Sequence, residues 1–192
     1  MKKTVIITGA TDGIGRALAL LLSGEYNLAL CGRNEEKMAQ LTRELGDCPV
    51  YAECFDITDS DKRHAFCAHV KERFGGVDVL VNSAGANTKK DRVTDIDPAD
   101  LRYMFELNCV SPLGMIQEVY PMMAAGQSGL IVNILTSCCL FSNPMTGSYS
   151  ASKDAMEGIS KILTKEAKAD HIGVCSIYPG GVDTGFRATA RP

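Results

Sequence analysis

The chain has 192 residues, 45% of them hydrophobic, and a net charge of −3 with both signs interspersed, which suits one domain burying roughly 70% of its unfolded surface. Its nearest approach to a basic cluster, Lys89-Lys90-Asp91-Arg92, is too short and interrupted to follow a phosphate backbone, so nucleic acid is not an expected partner. Lys2-Lys3 and Val5-Ile6-Ile7 open like a signal peptide, but Gly9 and Asp12 end the apolar run, and no segment reaches membrane-spanning length.

Apolar runs expected to be buried strands fall at about 3–8, 27–31, 50–55, 77–82, 129–135 and 172–178, with helical periodicity between them. Continuous apolar strands alternating with helices predict a parallel sheet covered on both faces through right-handed crossovers, an α/β doubly wound fold. No linker or repeat interrupts residues 1–192, so one domain is expected. The first strand runs into Thr8-Gly9-Ala10-Thr11-Asp12-Gly13-Ile14-Gly15, and Arg16 to Leu22 is helical in pattern. Glycines there allow a tight turn and close approach of backbone to a pyrophosphate, whose charge a helix N-terminus stabilises. The turn occupies the first βα junction, where doubly wound sheets bind dinucleotides.

Further along, Gly46, Gly75 and Gly126 end three helical segments, and Asp97 before Pro98 reads as an N-cap. His64, Cys67 and His69 invite a metal reading, yet on a helix the two histidines lie about 140° apart and no Cys-x-x-Cys completes a site. No metal is expected. Eight scattered cysteines, including the adjacent Cys138-Cys139, fit reduced thiols and a cytoplasmic location better than a disulfide framework. Between Tyr149 and Ala167, the apolar positions Ala155, Met156, Ile159, Ile162 and Leu163 predict a core stripe with Tyr149 and Lys153 at its margin. That pair is four residues apart, on one helix face, where an ammonium beside a phenol favours the phenolate. A free tyrosine titrates near ~10 and needs such a neighbour to exchange protons at neutral pH.

Taken together, the Thr8–Gly15 turn, Asp56-Ile57 after strand three, Asn82-Ser83-Ala84-Gly85 after strand four, Asn108 in the next helix, Tyr149-x-x-x-Lys153 and Pro179-Gly180 after strand six resemble a classical short-chain dehydrogenase/reductase. The motifs span nearly the whole chain in that family's order. The resemblance implies a Rossmann sheet of strand order 3-2-1-4-5-6. It implies dinucleotide contacts from Gly9, Thr11, Asp12, Gly13, Ile14 and Gly15, from Asp56 and Ile57 at the adenine, and from the Asn82, Ala84 and Gly85 backbone at the riboses. Pro179, Gly180, Val182 and Thr184 would meet the nicotinamide end.

By the same resemblance, Tyr149 donates a proton to a carbonyl oxygen as hydride leaves the nicotinamide. Lys153 hydrogen-bonds the nicotinamide ribose and holds the phenol's pKa down. Asn108 positions water in a proton relay to Lys153. The family's serine after strand five, which polarises the substrate oxygen, is replaced: the register places Thr136 there, with Ser137 the alternative if the loop shifts by one residue. Cofactor choice turns on the end of strand two, where Cys31-Gly32-Arg33-Asn34 offers an arginine and no carboxylate. Arg33 argues for NADP(H) over NAD(H), while Asp12 in the glycine turn argues the other way.

Candidate substrate loops are Ala86 to Val93, Cys138 to Ser148 and the stretch beyond Pro179, whose Phe141 and Met145 suggest a small, partly apolar carbonyl or alcohol. Family members usually continue into a substrate-covering helix and a seventh strand; here the sequence stops at Pro192, so the expectation is either a sequence incomplete at its C-terminus or a protein without the lid and seventh strand. The resemblance also implies a homodimer or tetramer through the helices holding Asn108 and Tyr149. The rival to an oxidoreductase is a non-catalytic, cofactor-sensing protein on the same fold.

Overall fold

The computed structural model of the protein describes residues 2–182. Six parallel strands form one sheet: β1 (Thr4–Thr8), β2 (Asn27–Gly32), β3 (Val50–Cys54), β4 (Val79–Asn82), β5 (Gly129–Ile134) and β6 (Ile172–Ile177), in the order β3-β2-β1-β4-β5-β6. This is the doubly wound arrangement expected from the sequence. The order reverses between β1 and β4, so a crevice opens above the carboxyl ends of those two strands. Alternation along β1 shows why the sheet is apolar throughout: Ile6 joins one buried cluster, Val5 and Ile7 the other, on opposite faces.

The helices are α1 (Gly13–Leu22), α2 (Glu35–Glu44), α3 (Ser60–Phe74), α4 (Pro98–Phe105), α5 (Ser111–Ala125) and α6 (Gly147–Glu166). The first four starts have a local cause. Asp12, Asn34, Asp59 and Asp97 cap α1 to α4 by accepting backbone N–H groups of the first turn. Gly46 and Gly75 follow helix ends in the left-handed region, but after α5 that conformation passes to Gln127, one residue beyond Gly126. A π turn, Glu106–Val110, joins α4 to α5. It is seeded by Pro112, which has no N–H to give the carbonyl of Asn108, four residues earlier.

On α6 the expected stripe is largely realised. Met156 is buried, and Ala155, Ile159 and Leu163 pack against the core. Ile162 does not join them: it is 54% exposed, because it lies about 240° around the helix from Met156. β6 ends the sheet among the described residues, and its Gly173, Cys175 and Ile177 are exposed. All eight cysteines are unpaired thiols, and no described helix is long and apolar enough to cross a membrane.

Candidate active site

The glycine turn is folded by contacts that side chains would block. Gly9 has φ +66°, and a Cβ there would lie 2.8 Å from the Ala84 Cα; a Cβ on Gly15 would lie 2.5 Å from the Gly9 carbonyl oxygen. Gly13 also has positive φ. Thr8 secures the facing loop, its hydroxyl accepting from the Ser83 and Ala84 N–H groups at 3.0 Å each. Ile14 packs on the core beneath the turn, and the first-turn N–H groups of Ile14 and Gly15 point, by their position in a helix, to no intrahelical acceptor. Backbone from β1 and β4 thus meets at the crevice with donors facing it, and these residues fit a dinucleotide pyrophosphate.

At the β2 end, Thr11 packs against Gly32, where a Cβ would come within 2.7 Å of the Thr11 methyl. Arg33 follows, with its guanidinium 3.8 Å from the Asp56 carboxylate and 3.4 Å from the Tyr103 hydroxyl. Burial works to raise the Asp56 pKa, but the Thr58 N–H and hydroxyl, with Arg33, outweigh it and hold the carboxyl below its ordinary value. Asp12 is also held low, chiefly by a hydrogen bond from Lys37 and then by the Gly13 N–H. The neighbouring Ile57 is buried, and its carbonyl accepts at 2.5 Å from Arg63, a buried cation that sequence reasoning did not single out.

Asn82 turns its side chain away from the crevice: its amide donates to Asn133 at 2.9 Å, and Asn133 donates to Ser160 at 2.9 Å. Its own Oδ1 is buried without a partner, so only its backbone can serve the crevice. Gly85 is different. A Cβ on it would lie 2.8 Å from the Asn108 Oδ1 and 3.2 Å from the Lys153 ammonium, so its bareness lets three motifs converge on one point. Asn108, fully buried, holds the adjacent Ala86 by both backbone groups and also donates to Ser152. Its side chain is therefore committed to the loop, and any water it positions falls to its backbone.

Tyr149 and Lys153 lie one turn apart on α6, both buried. The Thr136 side chain stands at the Tyr149 phenol and acts to lower its pKa, and Thr136 also caps the short turn Ser137–Cys139. Ser137 instead gives its N–H to the Pro179 carbonyl at 2.9 Å. Between the two hydroxyls left open by the sequence, the structure brings Thr136 to the tyrosine. Pro179 is thereby tied to the site, Gly180 and Val182 are exposed beyond it, and Thr184 lies outside the described residues.

The electrostatics differ from expectation. Burial pushes the Tyr149 phenol up to about 12, partly opposed by Thr136. The Lys153 ammonium donates to the Ile134 carbonyl at 2.8 Å, and burial pushes its own pKa down to about 8. In this arrangement the lysine, not the tyrosine, is the group tuned toward neutrality. The histidines diverge as the helix angle predicts: His64 pairs with Glu118 and His69 with Tyr51. Cys139, Asp154 and Glu157 do bring donor atoms within 4.8 Å of one another. Glu157 there already accepts from Lys161 and Tyr178.

A family model described as short chain dehydrogenase matches residues 3–192. The chain belongs to the short-chain dehydrogenase family. This dehydrogenase is an oxidoreductase by that membership. It is 32% identical over 191 residues to an uncharacterized oxidoreductase of Staphylococcus aureus (strain MW2), covering 99% of this chain and 82% of the relative. Among solved structures it resembles ElxO with NADPH bound, at 27% identity and TM-score 0.90, over 96% of this chain and 75% of that one. It also resembles a short chain dehydrogenase/reductase from Burkholderia phymatum in complex with NAD, at 25% identity and TM-score 0.93, over 98% and 69%. Relatives of this dehydrogenase thus hold one or the other dinucleotide.

Proposed function

We propose that this protein transfers hydride between NADP(H) and a small, partly apolar carbonyl or alcohol, with Tyr149 as the proton donor and acceptor. The observation that carries the reading is the placement of Thr136 against the buried Tyr149 phenol, with the buried Lys153 one turn away on the same helix, at the carboxyl ends of β4 and β5. The dinucleotide supplies the hydride when bound. Gly9, Thr11, Asp12, Gly13, Ile14 and Gly15 would hold its pyrophosphate end, Arg33, Asp56 and Ile57 its adenosine, and Ala84, Gly85, Pro179, Gly180, Val182 and Thr184 its nicotinamide half.

Thr136 orients the substrate oxygen toward the phenol. Tyr149 gives its proton to that oxygen in reduction and removes it in oxidation; burial keeps the resting phenol protonated at neutral pH, and efficient transfer requires its pKa to fall toward neutrality once dinucleotide and substrate are bound. Lys153, whose ammonium has three donors with one on Ile134, uses the others on the nicotinamide ribose and on a water at the Asn108 backbone. With a pKa of about 8 it can pass a proton onward near neutrality. NADP(H) is preferred because Arg33 stands at the β2 end with no carboxylate beside it in the sequence. Exposed Leu140, Phe141 and Met145 on the loop after β5, with Val93 across from it, support an apolar portion in the substrate.

Exposed Ile162 and the half-buried Leu113, Ile159 and Leu163 line an apolar groove between α5 and α6, which supports a homodimer or tetramer through these helices; sedimentation reads this directly. Eight unpaired thiols support a cytoplasmic location, checked by fractionation.

The test follows NADPH absorbance against a carbonyl panel. Tyr149→Phe is expected to lower turnover by roughly 10²-fold or more while NADPH still binds, since only the proton donor is lost. Equal rates for the two proteins would remove Tyr149 from its role. Tight NADPH binding with no turnover across the panel, in either direction, would favour the cofactor-sensing alternative.

A further inference from the structure

Asp12 looks, in sequence, like an obstacle to a phosphate at the adenosine ribose. The fold gives it a partner. Asn34 caps α2, its Oδ1 accepting the Lys37 N–H at 2.8 Å, and so fixes the first turn from which the Lys37 side chain extends. That ammonium bonds the Asp12 carboxylate, 25 residues earlier, in the glycine turn. The other Asp12 oxygen accepts the Gly13 N–H at 2.7 Å. Its charge is thus paired with a cation, and each of its oxygens already accepts one hydrogen bond.

Around the same mouth, the contact of Thr11 with Gly32 sets Arg33 beside the turn, and Arg33 is only loosely engaged with Asp56 and Tyr103. Asp56 is occupied by Thr58. An unmodified ribose needs a carboxylate to accept from its 2′-hydroxyl, and both carboxylates here have other partners. A phosphate needs cations that can turn toward it. The Arg33 and Lys37 side chains are 60% and 49% exposed, which leaves both able to do so.

We propose that Lys37 is a second specificity-determining residue for the adenosine 2′-phosphate, acting beside Arg33 and cancelling the repulsion of Asp12. The inference rests on the NADP(H) reading above. Lys37 touches neither the reacting atoms nor the nicotinamide, so its effect is confined to discrimination between phosphorylated and unphosphorylated adenosine.

Calorimetric titration of NADPH and NADH, and of adenosine 2′,5′-bisphosphate and 5′-AMP, tests this without any substrate. Lys37→Gln is expected to weaken NADPH and the bisphosphate about tenfold, the effect of one ammonium on a near-dianionic phosphate in a half-exposed setting. NADH and AMP should stay within about twofold, and Lys37→Arg should keep the preference. In an Asp12→Asn background, which retains a capping side chain, the same Lys37→Gln change should weaken NADPH only about threefold, because there is less repulsion to cancel. An unchanged NADPH/NADH ratio in Lys37→Gln, with the ratio lost in Arg33→Ala, would overturn the role of Lys37 and leave the NADP(H) reading standing. Equal losses for all four ligands would overturn it too. Wild-type protein that binds NADH as tightly as NADPH would overturn both.

Discussion

Replacing Lys153 with methionine should abolish activity and yet stabilise the fold. Lys153 is 5% exposed, and burial lowers its pKa from 10.5 to about 8. At about 1.4 kcal/mol per unit, holding the charged form in the folded state costs about 3 kcal/mol. Methionine has nearly the same length and no charge, but it leaves the Ile134 carbonyl, which accepts from the ammonium at 2.8 Å, short of a donor worth about 1 kcal/mol. The net gain at pH 7 is about 2 kcal/mol, or about 4–8 °C in Tm for a domain of this size. The sign follows from proton counting. Between pH 8 and 10.5 the unfolded lysine holds a proton that the folded one has released, so wild-type stability gains from this group as pH rises. The cost is fully present below about 8 and mostly gone by about pH 10, where the two proteins should converge. Urea unfolding of both at pH 7 and pH 10 measures the gap, and Tyr149, common to both, drops out of the difference. A methionine variant less stable than wild type at pH 7, or a gap that does not change with pH, would refute the buried-charge account.

Two further outcomes probe the packing of the site. Gly85→Ala should lower kcat about tenfold or more and cost about 1–3 kcal/mol of stability, because the new Cβ meets Asn108 at 2.8 Å, locked by its bonds to Ala86 and Ser152, and forces Lys153 to move; steady-state kinetics with urea unfolding check it, and normal kinetics would show the crowding to be harmless. Thr136→Ser should keep activity within about threefold, whereas the isosteric Thr136→Val should lose about 10²-fold, read as kcat on the same carbonyl. A larger loss in Ser137→Ala than in Thr136→Val would move the role to the neighbouring hydroxyl.

Much of this molecule was legible from local pattern. Continuous apolar runs bounded by helical periodicity state a parallel sheet, since only strands buried on both faces need no polar side, and all six strands fall within a few residues of those runs. The glycine turn and the Tyr149–Lys153 spacing are equally local, and they identify the crevice and the helix that borders it. Periodicity was less informative where it had to separate neighbours: Ile162 is as apolar as Ile159, yet it faces outward, because which arc of a helix meets the core depends on what packs there.

Sequence alone determined the alternation of strands and helices and the glycine turn, which are written in local pattern, and through the resemblance carried by the order of its motifs it also implied the strand order and the Tyr149–Lys153 pair. Tertiary structure alone decided that the Thr136 side chain acts on Tyr149, while the Ser137 backbone N–H is engaged by the Pro179 carbonyl beyond β6. It decided that Asp12 is neutralised by Lys37 and that Asn108 clamps Ala86. It also moved both pKa values through burial, raising the phenol and lowering the ammonium. Those outcomes depend on distances across the fold and on the exclusion of water, and neither exists until the chain has closed on itself.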